Sequence, residues 1–326
     1  MFEKESYITL FLILSLSCAD PAPSDPSPDN NIPSEGWTIV NSRFHSLTTL
    51  FDCMFITPNR VFVAGGFGSY RVSENSGRTW IEYFVNTGNT LFDIDFSDSL
   101  NGVMVGTQGT VFWSTDGGRS WDDRSYSQSI ILYALCCLSS NQAVIVAQDG
   151  VVLSTTTSGL SWSQQNSGTN EDLYGVVSVQ DSGWISVGGG GTILKTTNRG
   201  GSWREVWHDS AGAFFNVARA GQTSVFVFGE SGRILKSTNS GEDWQDVSPG
   251  GTEALWRGWF QSAATGMIVG NYGTILRTTD GGMGWNSLRK GGPTAIHLYG
   301  ISFMDADTGI VVGDGGTILR TTTGGL

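Results

Sequence analysis

Charge is scarce in this chain. Of its 326 residues 15% are charged, and 18 Lys and Arg stand against 30 Asp and Glu, a net charge of −12. Nucleic-acid binding needs a basic face, so nucleic acid is excluded as a partner. Histidine is rarer still: His45, His208 and His297 fall in three separate loops. No G-x-S-x-G, H-E-x-x-H or Walker-like string accompanies them, so no metal, cofactor or nucleophile constellation is expected. Only four cysteines occur. Cys53, Cys136 and Cys137 lie in apolar strand patterns, neither a disulfide framework nor a metal-ligand spacing, and read as buried thiols. Long Leu/Ala/Glu/Lys-rich periodic stretches are missing as well. With 45 glycines and frequent β-branched and aromatic residues, the chain reads as all-β with many short strands.

Proline is nearly confined to one place. Five of the eight prolines sit in ADPAPSDPSPDNNIPSEG, residues 19–36, an extended tether that builds no core. Before it, residues 1–17 carry an apolar run from Tyr7 to Leu16, too short to span a bilayer. Leu-Ser-Cys at 16–18 resembles the lipobox of bacterial lipoproteins, which implies a signal peptide over 1–17 and acylation of Cys18. The expectation is an extracytoplasmic lipoprotein, in the periplasm or at the cell surface, whose lipid holds residues 36–326 near a membrane through an 18–35 tether.

The remainder is repetitive. SENSGRTW, STDGGRSW, TTTSGLSW, TTNRGGSW, STNSGEDW and TTDGGMGW end in Trp80, Trp121, Trp162, Trp203, Trp244 and Trp285, each 41 residues after the one before. A period of this length signals propeller blades or a solenoid. Each period holds four strand signals, and seven inner strands are predicted to begin at Leu50, Leu91, Leu132, Leu173, Phe214, Leu255 and Leu298. The last repeat stops at Leu326, before its Trp is due, while GWTIVNS at 36–42 supplies a spare outer strand with Trp37. Pairing the two ends closes a ring and removes the exposed edges. The predicted fold is therefore one seven-bladed β-propeller of four-stranded blades, closed by the N-terminal strand on the C-terminal blade.

The motif S/T-x-D-x-G-x-x-W resembles the Asp box, or BNR repeat, of sialidases and related propellers. Asn75, Asp116, Asn198, Asn239 and Asp280 occupy the acceptor position, where a short polar side chain collects backbone N–H groups in a tight turn while Gly takes positive φ. Seven copies of such a loop mark architecture rather than a calcium or phosphate site.

The longer stretches LYGISFMDADTGIVVGDGGTILRTTTGG and WFQSAATGMIVGNYGTILRTTDGGMGW resemble the repeats of photosystem II stability/assembly factors, over roughly residues 36–326. The resemblance implies a seven-bladed propeller on the lumenal side of thylakoid membranes, without known catalysis, that binds a newly made membrane-protein subunit. It also implies an arginine-rich contact patch. Its nearest counterpart is the series Lys195, Lys236, Arg277 and Arg320, which holds one repeat position in four consecutive blades and offers a patch for an acidic partner segment. A second candidate is the third position of the inner strands, where Asp52, Asp93, Asn216 and Arg257 would ring a channel mouth. A third is the second position, aromatic in all seven repeats (Phe51, Phe92, Tyr133, Tyr174, Phe215, Trp256, Tyr299), read first as packing between blades and otherwise as a binding platform. The alternative function is a carbohydrate-binding or glycoside-hydrolase-like Asp-box propeller, with Asp52 and Asp93 as its carboxylate pair.

Overall fold

The computed structural model of the chain describes residues 36–40, 48–180, 183–289 and 296–326. Cys18, with the leader and tether expected over 1–35, lies outside the described residues, as do Arg43, His45 and Lys290. The strands form seven antiparallel four-stranded sheets, and the inner strands begin at the seven predicted residues.

Six sheets run in simple sequence order from inner to outer strand. The seventh is composite: Leu298–Phe303, Thr308–Gly313 and Ile318–Thr322 come from the C-terminus, and Thr38–Ile39 from the N-terminus. Thr38 pairs with Arg320 and Ile39 with Leu319, and the Thr38 hydroxyl donates to the Arg320 carbonyl at 3.1 Å. Trp37 is buried and meets Phe303 edge-on at 6.0 Å. The ring is closed as the strand count required.

Side-chain chemistry grades outward along each blade. The second strands, such as Val61–Gly65, Gly102–Gly106 and Thr308–Gly313, are almost wholly buried. Neighbouring blades cover both of their faces, which is why they read as unbroken apolar runs rather than as alternation. The outer strands Asp122–Asp123, Ser163–Gln165 and Gln245–Asp246 are largely exposed and polar, which discourages pairing at an open edge. Ile81–Phe84 of the first blade departs from this, exposing Ile81, Tyr83 and Phe84, while its one charge, Glu82, turns in to Arg71.

The Asp-box turns tie blade to blade. In all seven the hydroxyl of the first residue accepts the N–H of the box glycine, from Gly77 to Ser73 at 2.8 Å through Gly325 to Thr321 at 2.9 Å. The acceptor side chain takes a second amide: Asn75 from Thr79, Asp116 from Ser120, Asn198 from Ser202, Asn239 from Asp243 and Asp280 from Gly284, at 2.8–3.0 Å. Thr157 does the same for Ser161 with its hydroxyl, at 3.1 Å. The bare face of the glycine then presses on the preceding blade. At Gly118, with φ 73°, an added Cβ would lie 2.5 Å from the Phe62 ring, whereas at exposed Gly168, with φ 83°, it would meet nothing within 4 Å.

That contrast separates backbone strain from the blade contact. Gly168→Ala should cost about 1 kcal/mol, the penalty for a positive φ alone. Gly118→Ala should cost about 3 kcal/mol or more, because Phe62 must also move. Urea unfolding at constant slope reads both, and equal costs would refute the wedge.

Candidate functional site

The inner strands are irregular in the same way in every blade. The register slips between their first and third residues, from Leu50/Asp52 to Leu298/Gly300. The second residue is left out of the ladder, as in a β-bulge, which turns its side chain away from the sheet. That residue is the aromatic one.

The seven aromatics consequently meet in a closed collar. Centroid separations run Phe51–Phe92 5.0 Å, Phe92–Tyr133 6.3 Å, Tyr133–Tyr174 4.9 Å, Tyr174–Phe215 5.9 Å, Phe215–Trp256 4.2 Å, Trp256–Tyr299 5.6 Å and Tyr299–Phe51 5.6 Å. These spacings suit aromatic contact, so the collar packs blade against blade, and its rings also line a concavity of about 630 Å³, including the part open to solvent. Both sequence readings of this series describe the same side chains. Ala134, Asn216 and Arg257 complete the lining.

Beneath the collar lies an ion cluster. Arg257 reaches across the ring, Nη1 3.1 Å from Asp52 Oδ1 and Nη2 2.8 Å from Asp93 Oδ1. Three of the four residues expected at the channel mouth are thereby in mutual contact. Asn216 is half-buried in the lining, and its side chain makes no hydrogen bond among the described residues. Asp52 is 1% exposed and Asp93 2%. Each also ties blades together: Asp52 accepts the amides of Cys53 at 2.7 Å and Ile94 at 3.1 Å, and Asp93 accepts that of Leu135 at 2.7 Å.

This geometry corrects the alternative reading of Asp52 and Asp93 as a glycosidase pair. A general acid and its partner must face substrate, and these two face a guanidinium and backbone amides. Burial pushes the Asp52 carboxyl well above the usual range; Arg257 opposes this and Asp93 adds to it. Burial works against the Arg257 charge too, but Asp52 and Asp93 outweigh it and hold its pKa above the ordinary value. One level down, burial raises Asp95 to about 7, although it accepts the amides of Cys137 and Phe96.

The basic series is not left free as a common patch. Lys195 is buried and its Nζ lies 2.6 Å from Glu242 in the next blade's box. Lys236 donates to the Gly281 carbonyl at 2.7 Å, and Arg320 Nε to the Ser76 carbonyl at 2.7 Å. All three reach the box of the following blade. Arg277 makes no such bond among the described residues and borders a small recess with Gly324 and Leu326. The thiols are equally unavailable: Cys53 and Cys136 are buried and Cys137 is half-buried, and burial pushes Cys136 up to about 12. Among the described residues no group of three His, Cys, Asp or Glu is placed to hold a metal ion.

The sequence register puts Asp149, Glu230 and Asp314 on tips and Asp172 in an entering loop around the channel mouth; Glu171 is the one carboxylate there that it does not single out. Tyr133 donates to Asp172 at 3.2 Å. Burial first, then neighbouring carboxylates, raise all three collar tyrosines: Asp172 and Asp149 at Tyr133, Asp172, Glu171 and Glu230 at Tyr174, and Asp314 at Tyr299. These residues come from 3₁₀ tips between second and third strands and from loops entering the inner strands. Glu230 and Asp314 open their tips, and Asp149 is the middle residue of its own.

The family model described as photosynthesis system II assembly factor YCF48 matches residues 80–169, from the first box tryptophan through the second and third blades. No curated protein matches the sequence. Among solved structures, "YCF48 bound to D1 peptide" is 19% identical, with 90% of this chain and 98% of that one covered at a TM-score of 0.73. YCF48 from Cyanidioschyzon merolae is 19% identical, covering 88% and 98%, at 0.70. A streptogramin B lyase is 11% identical, covering 87% and 96%, at 0.75. The resemblance to the assembly factors is thus present in sequence over residues 80–169 and in fold over most of the chain. A lyase superposes as well as they do, so the fold by itself does not choose a function.

Arg257→Met should cost about 3–5 kcal/mol near neutral pH, because two buried carboxylates are left facing each other. The cost should shrink as the pH falls and Asp52 takes up a proton. In the wild type, Asp95 holds its proton folded at pH values where the unfolded chain has released it, so stability should fall as pH rises from about 4 to about 7. Asp116 acts oppositely. Burial raises it, but hydrogen bonds from Ser120, Ser114 and Arg119 outweigh this and bring it to about 2, so its contribution is lost only below about pH 4. Urea midpoints across pH 3–8 check this: Asp95→Asn should flatten the slope between pH 4 and 7, and an unchanged slope would refute the assignment.

Proposed function

We propose that this chain, similar over residues 80–169 to the YCF48 photosystem II assembly factors, is a non-catalytic assembly or protein-binding propeller that works outside the cytoplasm on a membrane-protein partner. The observation that carries this reading is the collar. It is a ring-wide concave aromatic surface on the face opposite the Asp boxes, while the carboxylates beneath it are locked in ion pairs and amide bonds. Such a surface can bind a ligand, and its floor offers no free acid or base.

Two further features support the partner class. One of the similar propellers, YCF48, was solved bound to a D1 peptide, so a propeller of this shape can hold a peptide. The Leu-Ser-Cys leader and Pro-rich tether would hold the mouth at a membrane surface, where a lumenal or periplasmic segment of a membrane protein is within reach. The carbohydrate-cleaving alternative loses its carboxylate pair to Arg257.

Two measurements test this. A photo-crosslinking residue at Tyr272, on the 3₁₀ tip Asn271–Gly273 beside the mouth, should trap a membrane-protein segment in membranes of the source cell. The same residue at Arg119, in an exposed Asp-box turn, should not. Equal trapping from both faces, or trapping from Arg119 alone, would overturn the choice of face. For the anchor, Cys18→Ser should move the chain from the membrane fraction to the soluble one, and an unchanged distribution would rule out lipidation at that residue.

A further inference from the structure

We infer that the collar is a receptor for an organic cation, an alkylammonium head carried by a free amine or by a lysine side chain, and not for an anion or a neutral sugar. The inference rests on the collar being the binding surface proposed above, and it specifies the ligand chemistry.

Three independent features of the mouth point this way. The first is the wall. Seven aromatic side chains in unbroken contact line one small concavity, and aromatic rings attract cations. Tyr133 donates its hydroxyl proton to Asp172 at 3.2 Å, which makes its ring more electron-rich and a better cation partner.

The second is the rim. The charges that act most strongly on the collar tyrosines are those of Asp149, Glu171, Asp172, Glu230 and Asp314, all of one sign. His297 stands on the rim as well, its ring 6.3 Å from that of Tyr299 and its Nδ1 accepting the Tyr272 amide at 3.3 Å. A concave site lined by one sign of charge raises the local concentration of the opposite ion.

The third is the floor. Arg257 would repel a cation if its charge were free, but Asp52 and Asp93 flank it at 3.1 and 2.8 Å. Two carboxylates against one guanidinium leave the floor neutral or negative, whichever way the proton is shared. Asn216, without a side-chain hydrogen bond among the described residues, adds its amide to the lining, and its oxygen can accept an ammonium N–H.

The probes are n-butylammonium, n-butanol and butyrate, matched in chain length and differing in head group. Binding to the full chain is followed by ligand-observed NMR. Butylammonium should bind at least roughly tenfold more tightly than butanol, and butyrate should not bind. Glu171→Gln with Glu230→Gln leaves every collar ring and every described hydrogen bond of the floor in place. It should weaken butylammonium several-fold and reduce the salt dependence of its binding. Trp256→Leu should weaken it roughly tenfold, with thermal unfolding followed in parallel to show that the variant is folded.

The tripeptide Ac-Gly-Lys-Gly-NH₂ distinguishes the two sources. Tighter binding than butylammonium assigns the head to a lysine on a partner segment, and equal or weaker binding assigns it to a free amine. Preference for butyrate or butanol, or a double variant with unchanged affinity, would overturn the inference. If the cation probes failed while crosslinking from Tyr272 persisted, the ligand chemistry would fall and the binding face would stand.

Discussion

A propeller blade has two apolar faces and no covering layer of its own, so it buries them only against its neighbours. Everything distinctive in this chain answers that constraint. Closure through Thr38–Ile39 leaves no terminal blade with a bare face, and the box glycines Gly77, Gly118, Gly159, Gly241 and Gly282 let their turns sit directly on the blade before. Gly118 on Phe62 and Gly282 on Phe226 show the contact on opposite sides of the ring. The same logic claims the basic series. Lys195, Lys236 and Arg320 carry their charge to the next box, where carbonyls and Glu242 satisfy them at less cost than solvent-free burial of an unpaired cation.

The channel side obeys the constraint with different chemistry. Asp52 reaches the amide of Ile94, Asp93 that of Leu135 and Asp95 that of Cys137, each 42 residues ahead. One carboxylate in each case satisfies an amide on the channel-side edge of the next inner strand, which has no further strand in its own sheet to pair with. Ser302 does the same for Phe55 across the closure, at 3.1 Å. The bulge at the start of each inner strand frees the aromatic second residue, so the collar comes from a single backbone irregularity repeated seven times, and its polar floor from the unpaired inner edges below it.

Fold and blade boundaries were legible in the sequence because they depend on periodicity, and a 41-residue spacing of tryptophans survives every local substitution. The inner-strand starts at Leu50 through Leu298 followed from it. The site was legible only in part. Position three of the inner strand stood out through Asp52, Asp93 and Arg257, but spacing along a chain does not reveal that residues 164 apart bond across a ring. The β-bulge leaves no compositional trace, so whether Phe51 and its counterparts face a neighbour or a cavity depends on a register that composition does not encode. The basic series misled for a related reason. A shared repeat position places Lys195 and Arg320 equivalently, but whether a head points outward or to the next turn depends on the turn's carbonyls.

The division of labour between floor and collar explains how one face can bind while the ring stays closed. The floor is rigid: Arg257, Asp52 and Asp93 satisfy one another and the adjacent amides, and a buried network in which every member is paired resists deformation. The collar above it carries no ion pair, and its polar bonds, such as Tyr133 to Asp172 and Trp256 to Asn271, run outward to tips and loops. Its rings need only contact, and Tyr174 is held by less burial than its six neighbours. A ligand entering the concavity therefore meets side chains already fixed by their neighbours on both sides. It loses little to ordering them, and preorganisation of this kind converts modest contacts into useful affinity. The charge that would spoil the site for a cation is cancelled inside the floor, by the same ion pairs that hold blades one, two and six together.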